Sequence, residues 1–278
     1  MRALTEKPQD KYVHSGKIEE VMRLEAQAKA FEKVLEKEFE ILGLKQGMKV
    51  LDAGCGTGAV ARKIAVKVSP GEVFGVDIDS LFVNEARKLA ANEGLGNVRY
   101  DLGDVNDLKY SDGTFDVTYC RLVLMHVKDP VKTVKELKRV TKKEGVVAVS
   151  DNDDGGMIVH PEMPKMMNLW AKYGRSAKTR GEDRYIGRQL FSIFSQAGLS
   201  PITIYPLPIH ATQQTPEMLK MLVSVPVQIM ELCKETMVKE EFVTAEYYEE
   251  AMNEVRAFLS HPGAFAMGLT FLAVGKVP

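Results

Sequence analysis

The sequence predicts an α/β fold in which a doubly wound, mostly parallel sheet of seven strands is covered by helices on both faces. Between residues 48 and 150, five short apolar segments alternate with amphipathic helical patterns, which is typical of a parallel sheet. Two apolar segments after residue 200 are expected to close the sheet as an antiparallel hairpin at its edge. Charged residues stand at the ends of four predicted strands, where α/β sheets bind their ligands.

Turn and capping signals set the bounds of the predicted elements. Gly43 ends a long amphipathic helix, and Asp129-Pro130 places an N-cap carboxylate before a proline at the first helical position. The strands are predicted over 48–53, 72–77, 98–102, 115–119, 145–150, 201–211 and 265–277. The helices are predicted over 17–42, 58–67, 81–93, 129–142, 161–174, 187–198, 216–237 and 240–260.

A glycine-rich loop within Val50–Gly58 connects the first strand to the next helix. Gly54, Gly56 and Gly58 stand at alternate positions. Glycines let the backbone adopt unusual dihedral angles and approach a ligand closely, and the first turn of a helix offers free N–H groups. The loop therefore predicts a binding site for a nucleoside-containing ligand, as opposed to a glycine turn without a ligand.

Two cofactor types are compatible with this loop. The spacing Gly54-x-Gly56-x-x-Ala59, with Asp77 about 20 residues later, fits the dinucleotide-binding fingerprint. Asp52 and Gly58 lie outside that fingerprint. A carboxylate at Asp52, two residues before the first glycine, favours a ligand with a cationic group.

Composition excludes several other classes of protein. Apolar residues make up 45% of the 278 residues, and 37 basic against 38 acidic residues give a net charge of −1, so there is no overall electrostatic footprint for nucleic acid. The three cysteines form no CxxC pair, so neither a disulfide framework nor a metal site is expected. The N-terminus has no apolar signal core, and the apolar run 264–275 is too short to span a bilayer. We expect a cytoplasmic protein without membrane association.

Four motifs together resemble the class I S-adenosylmethionine (SAM) methyltransferases, and within them the UbiE-like branch. They are Asp52-x-Gly54-x-Gly56-x-Gly58, Gly75-Val76-Asp77, Gly103-Asp104 and Leu124-x-His126-Val127-x-Asp129-Pro130. The resemblance covers residues 40–151 well and the remainder by topology. It implies one methyltransferase domain over 1–278, with an N-terminal helical cap (1–43), a SAM-binding core (44–153), a helical insertion (154–190), a core helix with closing strands (191–212 and 262–278) and a helical lid (213–261).

The resemblance also implies cofactor-binding roles. Asp52 would hold the SAM ammonium, Asp77 both ribose hydroxyls, and Asp104 the adenine amino group. Ile78 would pack on the adenine and the Val105 N–H would donate to it. Six loop and strand-end residues would lie along the methionine and ribose: Gly54, Cys55, Gly56, Gly58, Cys120 and Arg121. Among them, Cys55 would be a small apolar side chain that fills space in the loop. From the N-terminal helix, Tyr12, Arg23 and Gln27 are candidates; Arg23 would pair with the SAM carboxylate or else occupy a solvated helix face.

Candidate acceptor-binding residues lie outside the glycine loop: His126, Asp153, His160, Trp170, Tyr185 and Arg188. His126 is either a base or a structural hydrogen-bonding residue. The acidic segment at 151–154 either attracts a cationic amine or is a solvated loop. Ten of the 14 methionines follow residue 150. They suit either a mobile lid over an apolar ligand or ordinary helix packing.

These residues predict a SAM-dependent methyltransferase that acts on a small molecule. The sulfonium methyl is already activated, so the protein must mainly align the acceptor and exclude water. Two alternatives remain, namely an NAD-dependent oxidoreductase on a Rossmann fold and a non-catalytic SAM-binding module. No Tyr-x-x-x-Lys pair of the short-chain dehydrogenases is present. The acceptor, the methylated atom and the oligomeric state are left open.

Overall fold

The computed structural model describes residues 18–239 and 241–278, which form two compact units. The first comprises the described residues up to Val149, together with Ser192–Thr203 and Val274–Pro278. The second comprises Ser150–Phe191 and Ile204–Ala273. The predicted SAM-binding core lies almost wholly in the first unit, and the predicted insertion and lid lie in the second. The description as a single domain stays a prediction.

The predicted α/β fold with a mostly parallel sheet is confirmed, but the sheet has eight strands in the described residues and not seven. Its order is β3-β2-β1-β4-β5-β8-β6, with β7 also paired to β8. The added strand, β6, is three residues long and pairs antiparallel with β8, too short to show an alternating pattern in the sequence. The strands are β1 Val50–Ala53, β2 Val73–Asp77, β3 Val98–Leu102, β4 Phe115–Arg121, β5 Thr141–Asn152, β6 Ile158–His160, β7 Ile202–Thr212 and β8 Phe265–Lys276.

The N-terminal helix predicted over 17–42 is wrong as one element, because it is divided at Phe31. The Phe31 N–H still donates to the Gln27 carbonyl oxygen, and the Leu35 N–H donates to the Phe31 carbonyl oxygen, so the chain bends without losing its apolar spacing. The helices are α1 Ile18–Ala30, α2 Glu32–Leu42, α3 Ala59–Val68, α4 Ser80–Asn92, α5 Pro130–Val140, α6 Pro164–Thr179, α7 Leu190–Gln196, α8 Pro216–Lys239 and α9 Ala245–Ser260.

Two other helices begin at a different residue from the predicted one, because of the residues at their N-termini. The last helix begins at Ala245 and not at residue 240, because the Thr244 side chain accepts a hydrogen bond from the Tyr247 N–H and acts as the N-cap. α6 begins at Pro164, where proline occupies the first helical turn, and it continues to Thr179. Within the described residues no helix is both long and apolar enough to cross a membrane.

The second unit has a helical core rich in methionine. Five methionines of this unit are buried among apolar side chains: Met163, Met166, Met230, Met237 and Met252. For these five the packing interpretation is confirmed, since each is at most 6% exposed.

Candidate cofactor site

The charged residues predicted at strand ends converge on one edge of the first unit's sheet. β1 runs parallel to both β2 and β4, and β2 runs parallel to β3. Asp52 lies one residue before the end of β1, while Asp77 and Arg121 end β2 and β4. Because parallel strands finish at the same edge, these three side chains belong to the same end of the sheet, where ligands of α/β proteins bind.

The glycine loop has the backbone geometry that its sequence predicts. Gly54, Gly56 and Gly58 have φ angles of +75°, +52° and +75°, in the region that favours glycine. A Cβ atom at Gly54 would lie 2.4 Å from a Val123 methyl, and one at Gly58 would lie 2.5 Å from the Tyr100 hydroxyl oxygen. These two glycines therefore also permit close packing. A Cβ at Gly56 would meet no atom nearer than 3.5 Å, so at this position the positive φ is the main constraint.

Asp77 anchors the loop to the second strand. The Gly56 N–H donates to Asp77 Oδ2 at 2.8 Å, and the Asp79 N–H donates to Oδ1 at 2.9 Å. The N-cap of α4 is Asp79, which accepts from the Leu81 N–H at 2.8 Å, so Asp77 does not cap this helix. Burial raises the pKa of Asp77. Each carboxylate oxygen has two acceptor sites, so Asp77 can accept further hydrogen bonds from hydroxyl groups of a ligand.

Asp52 has a buried carboxylate oxygen that no protein group satisfies in the described residues. Its side chain is 2% exposed, and Oδ2 has no hydrogen-bond partner among the described residues. Burial and the nearby Asp77 carboxylate raise the pKa of Asp52 to about 7, while a backbone hydrogen bond at Ala61 and the Arg121 charge lower it by less. Buried carboxylate oxygens are nearly always paired, so this site fits a ligand with a cationic, hydrogen-bonding group.

The remaining predicted cofactor residues, which lie at or just after the ends of β1 to β4, differ in exposure. Ile78 is 67% exposed directly after β2, where an apolar ligand surface would cover it. Asp104 is also exposed, while Val105 is buried beside it. Cys55 and Cys120 are buried, and burial raises the pKa of the Cys55 thiol well above its usual range. A thiolate at Cys55 is therefore disfavoured, in keeping with a packing role.

A buried polar network beside the site was missed by the sequence analysis. Glu38 of α2 is fully buried, the Tyr119 hydroxyl donates to it, and Arg121 Nε donates to it at 3.3 Å. The network fixes the Arg121 side chain at the end of β4. A signal was available, since Glu38 stands next to Phe39 and three residues after Leu35, on the apolar face of the helix.

The predicted N-terminal residues meet on α1. Arg23 donates to the buried Glu20 carboxylate from Nε at 2.7 Å and from Nη2 at 2.6 Å, and its Nη1 donates to Gln27 at 3.3 Å. A ligand carboxylate at Arg23 would have to share this guanidinium with Glu20. The third candidate, Tyr12, lies outside the described residues.

In the second unit, the acidic segment is paired with arginines. Asp153 is 3% exposed and accepts from Arg188 Nε at 2.5 Å and from Nη2 at 2.6 Å, and Asp154 accepts from Arg184 Nε at 2.8 Å. The solvated-loop interpretation of this segment is therefore wrong. The arginine charges also offset the carboxylates, which weakens the case for attraction of a cationic amine.

The other predicted acceptor residues are distributed over both units. The Arg188 guanidinium lies 5.3 Å from the Tyr185 ring, so these two side chains and Asp153 form one cluster. Trp170 is 5% exposed and stacks on Tyr173 at 5.1 Å within the helical core. His160 is exposed at the end of β6. His126 belongs to the first unit, where it lies within a 3-10 turn at 124–126. Within the described residues, no group of three or more His, Cys, Asp or Glu side chains is arranged to bind a metal.

Comparisons with known proteins show the family of this chain. A family model described as a methyltransferase domain matches residues 44–198. The ubiquinone/menaquinone biosynthesis C-methyltransferase UbiE of Bdellovibrio bacteriovorus is 37% identical over 130 residues, covering 47% of this chain and 54% of that protein. A sterol 24-C-methyltransferase of Aspergillus fumigatus is 38% identical over 109 residues, covering 39% of this chain and 29% of that protein.

A solved structure shows the same fold. The crystal structure of a SAM-dependent methyltransferase from Aquifex aeolicus matches with a TM-score of 0.52 and 24% identity, covering 66% of this chain and 89% of that one. The α/β sheet is thus of the class I methyltransferase type. The chain spans about half or less of the length of the curated relatives that it matches.

Proposed function

Because this chain belongs to the methyltransferase domain family, we propose that it transfers a methyl group from SAM to a small-molecule acceptor. The observation that carries the proposal is Asp52, a buried carboxylate with an unpaired oxygen at the end of β1, directly before the glycine loop. The SAM ammonium would pair with this oxygen. A dinucleotide cofactor has no ammonium to pair with this oxygen. Its pyrophosphate would also bring negative charge toward the Asp52 carboxylate.

The chain's residues suit the parts of SAM in turn. Asp52 would hold the ammonium, and Asp77, already bonded to the Gly56 N–H, would accept from the ribose hydroxyls. Ile78 would cover one face of the adenine, because its apolar side chain is 67% exposed at that edge. Asp104 would accept from the adenine amino group. The Arg121 backbone would face the methionine part.

SAM, when bound, supplies a methyl group already activated by its sulfonium. The protein's contribution is to hold the acceptor nucleophile in line with that methyl and to exclude water. A base is needed only where the nucleophile arrives protonated. His126 is the candidate of the first unit for that role, and Asp153, Tyr185 and Arg188 are the candidates of the second unit for acceptor binding.

The class of acceptor is inferred from the relatives. The names of the UbiE protein and of the sterol enzyme refer to quinone biosynthesis and to a sterol. We propose that the chain is of the UbiE-like branch, which its four motifs and its similarity to the UbiE protein support. We therefore propose a small organic molecule as the methyl acceptor. The net charge of −1 gives no support to a nucleic acid as the acceptor.

A calorimetric titration with S-adenosylhomocysteine, run beside NADH on the same preparation, tests the proposal. We expect the first ligand to bind with a Kd on the order of micromolar and the second not to bind. Binding of NADH alone would mean that the dinucleotide fingerprint Gly54-x-Gly56-x-x-Ala59 is the functional one. Binding of S-adenosylhomocysteine without methyl transfer to any quinone-, sterol- or amine-type acceptor would favour a non-catalytic SAM-binding module.

A further inference from the structure

Helix α1 contacts the glycine loop through one acidic side chain. Glu25 Oε1 accepts a hydrogen bond from the Thr57 hydroxyl at 2.6 Å. Thr57 is 2% exposed and stands between Gly56 and Gly58, the two loop residues with φ angles of +52° and +75°. The residue that Glu25 holds is thus the central one of the Gly56–Gly58 turn.

The second oxygen of Glu25 binds the helix that follows the loop. Arg62 Nη2 donates to Glu25 Oε2 at 2.6 Å, and Arg62 Nη1 donates to the Thr57 carbonyl oxygen at 2.8 Å. Arg62 is 5% exposed, so its guanidinium is largely removed from water, while the Glu25 side chain is 31% exposed. Glu25, Thr57 and Arg62 form a closed ring of hydrogen bonds, in which both the side chain and the backbone of Thr57 are fixed.

Two other ion pairs join α2 to α3 without contacting the loop. Glu32 pairs with Lys63, and Glu36 pairs with Lys67 at 3.5 Å. Both pairs are more exposed than the Glu25 pair, and surface pairs of this kind contribute little to stability. The contribution of Glu25 to the loop is therefore separable from the docking of α2, while Glu25 itself joins α1 to α3.

We propose that Glu25 is a positioning residue that fixes the glycine loop in its ligand-binding conformation and so couples the docking of α1 to occupancy of the cofactor site, an inference that rests on the proposed function. A loop that is already ordered loses less conformational freedom when a ligand binds, and its affinity is higher for that reason. In Glu25→Gln, one of the two oxygens that accept from Thr57 and Arg62 becomes an NH2 donor, so the hydrogen-bonded ring is broken, while Arg62 keeps Glu93 and the Thr57 carbonyl oxygen as partners. The variant chain therefore retains a partner for its buried guanidinium.

The test compares Glu25→Gln with Glu32→Gln, a matched change in an ion pair that also reaches α3 but not the loop. Calorimetry with S-adenosylhomocysteine and the thermal midpoint are measured for both variants and for the unchanged protein. Thr57→Val, which removes the hydroxyl and keeps the shape, is the second variant. Amide exchange at Gly56 and Gly58 is followed without ligand, because these N–H groups are bonded to Asp77 Oδ2 and to the Cys55 carbonyl oxygen.

We expect Glu25→Gln and Thr57→Val to weaken S-adenosylhomocysteine binding by about tenfold and to speed exchange at Gly56 and Gly58, and Glu32→Gln to leave both within about twofold. The proposal is overturned if Glu25→Gln changes only the thermal midpoint, as a docking residue would. If the unchanged protein does not bind S-adenosylhomocysteine, the proposed function fails. The exchange rates then still decide whether Glu25 orders the loop.

Discussion

Replacement of Asp52 by asparagine is expected to stabilise the protein, and to do so more strongly as the pH rises. The pKa of Asp52 is about 7 in the folded chain against 3.8 for an ordinary aspartate. A carboxyl whose pKa is raised by folding binds its proton more tightly in the native state. This tighter proton binding by Asp52 contributes to the free energy of unfolding. The contribution is fully present below pH 3.8 and is lost as the pH rises through about 7. At about 1.4 kcal/mol per pKa unit, the cost of the ionised group reaches about 4 kcal/mol above pH 7.

Asparagine has the same shape without the charge, so Asp52→Asn removes this cost at high pH. The free energy of unfolding, measured by urea denaturation, is compared between the variant and the unchanged protein at pH 5 and pH 8. The gain of the variant is expected to be about 2–3 kcal/mol larger at pH 8, because only part of the cost has accumulated at pH 5. Asp104→Asn, a change in an exposed carboxylate after β3, is the control. A gain that does not grow with pH would refute the reasoning that burial disfavours the charge of Asp52.

Three further predictions concern the same edge of the sheet. Asp77→Ala should weaken S-adenosylhomocysteine binding by about 1–3 kcal/mol in calorimetry, the cost of unpaired polar groups, and unchanged affinity would remove Asp77 from the ribose site. In the unchanged protein the same affinity should improve about tenfold from pH 6 to pH 8, because only ionised Asp52 pairs with the ammonium, and Asp52→Asn should abolish this dependence. Glu38→Ala should lower the free energy of unfolding by about 3–5 kcal/mol, since it removes a partner of the buried Arg121 guanidinium, and a loss below about 1 kcal/mol would argue against that pairing.

The sequence predicts the sheet and the glycine loop of the first unit well because their signals are local. The apolar strands, the three glycines and the carboxylates of Asp52 and Asp77 all lie within short segments. Strand direction then determines where they meet, since every parallel strand presents its carboxyl end at one edge. The bounds of β3, Val98–Leu102, agree with the prediction to the residue.

The missed features depend on contacts between distant parts of the chain. Glu38 is buried because Tyr119 and Arg121, more than 80 residues later, supply its partners, so its own helix pattern cannot identify them. The pairing of Asp153 with Arg188 spans 35 residues in the same way. The bend at Phe31 was missed for a different reason, because it preserves the apolar spacing of the helix.

The most direct test of the account compares two ligands that differ in the group assigned to Asp52. S-adenosylhomocysteine carries the amino-acid part, whereas 5′-methylthioadenosine keeps the adenine and ribose but lacks the ammonium. At pH 8, Asp52→Asn should weaken binding of the first by about tenfold or more and leave the second within about twofold, while Asp77→Ala weakens both. Equal effects of Asp52→Asn on the two ligands would contradict the assignment of this carboxylate to the SAM ammonium.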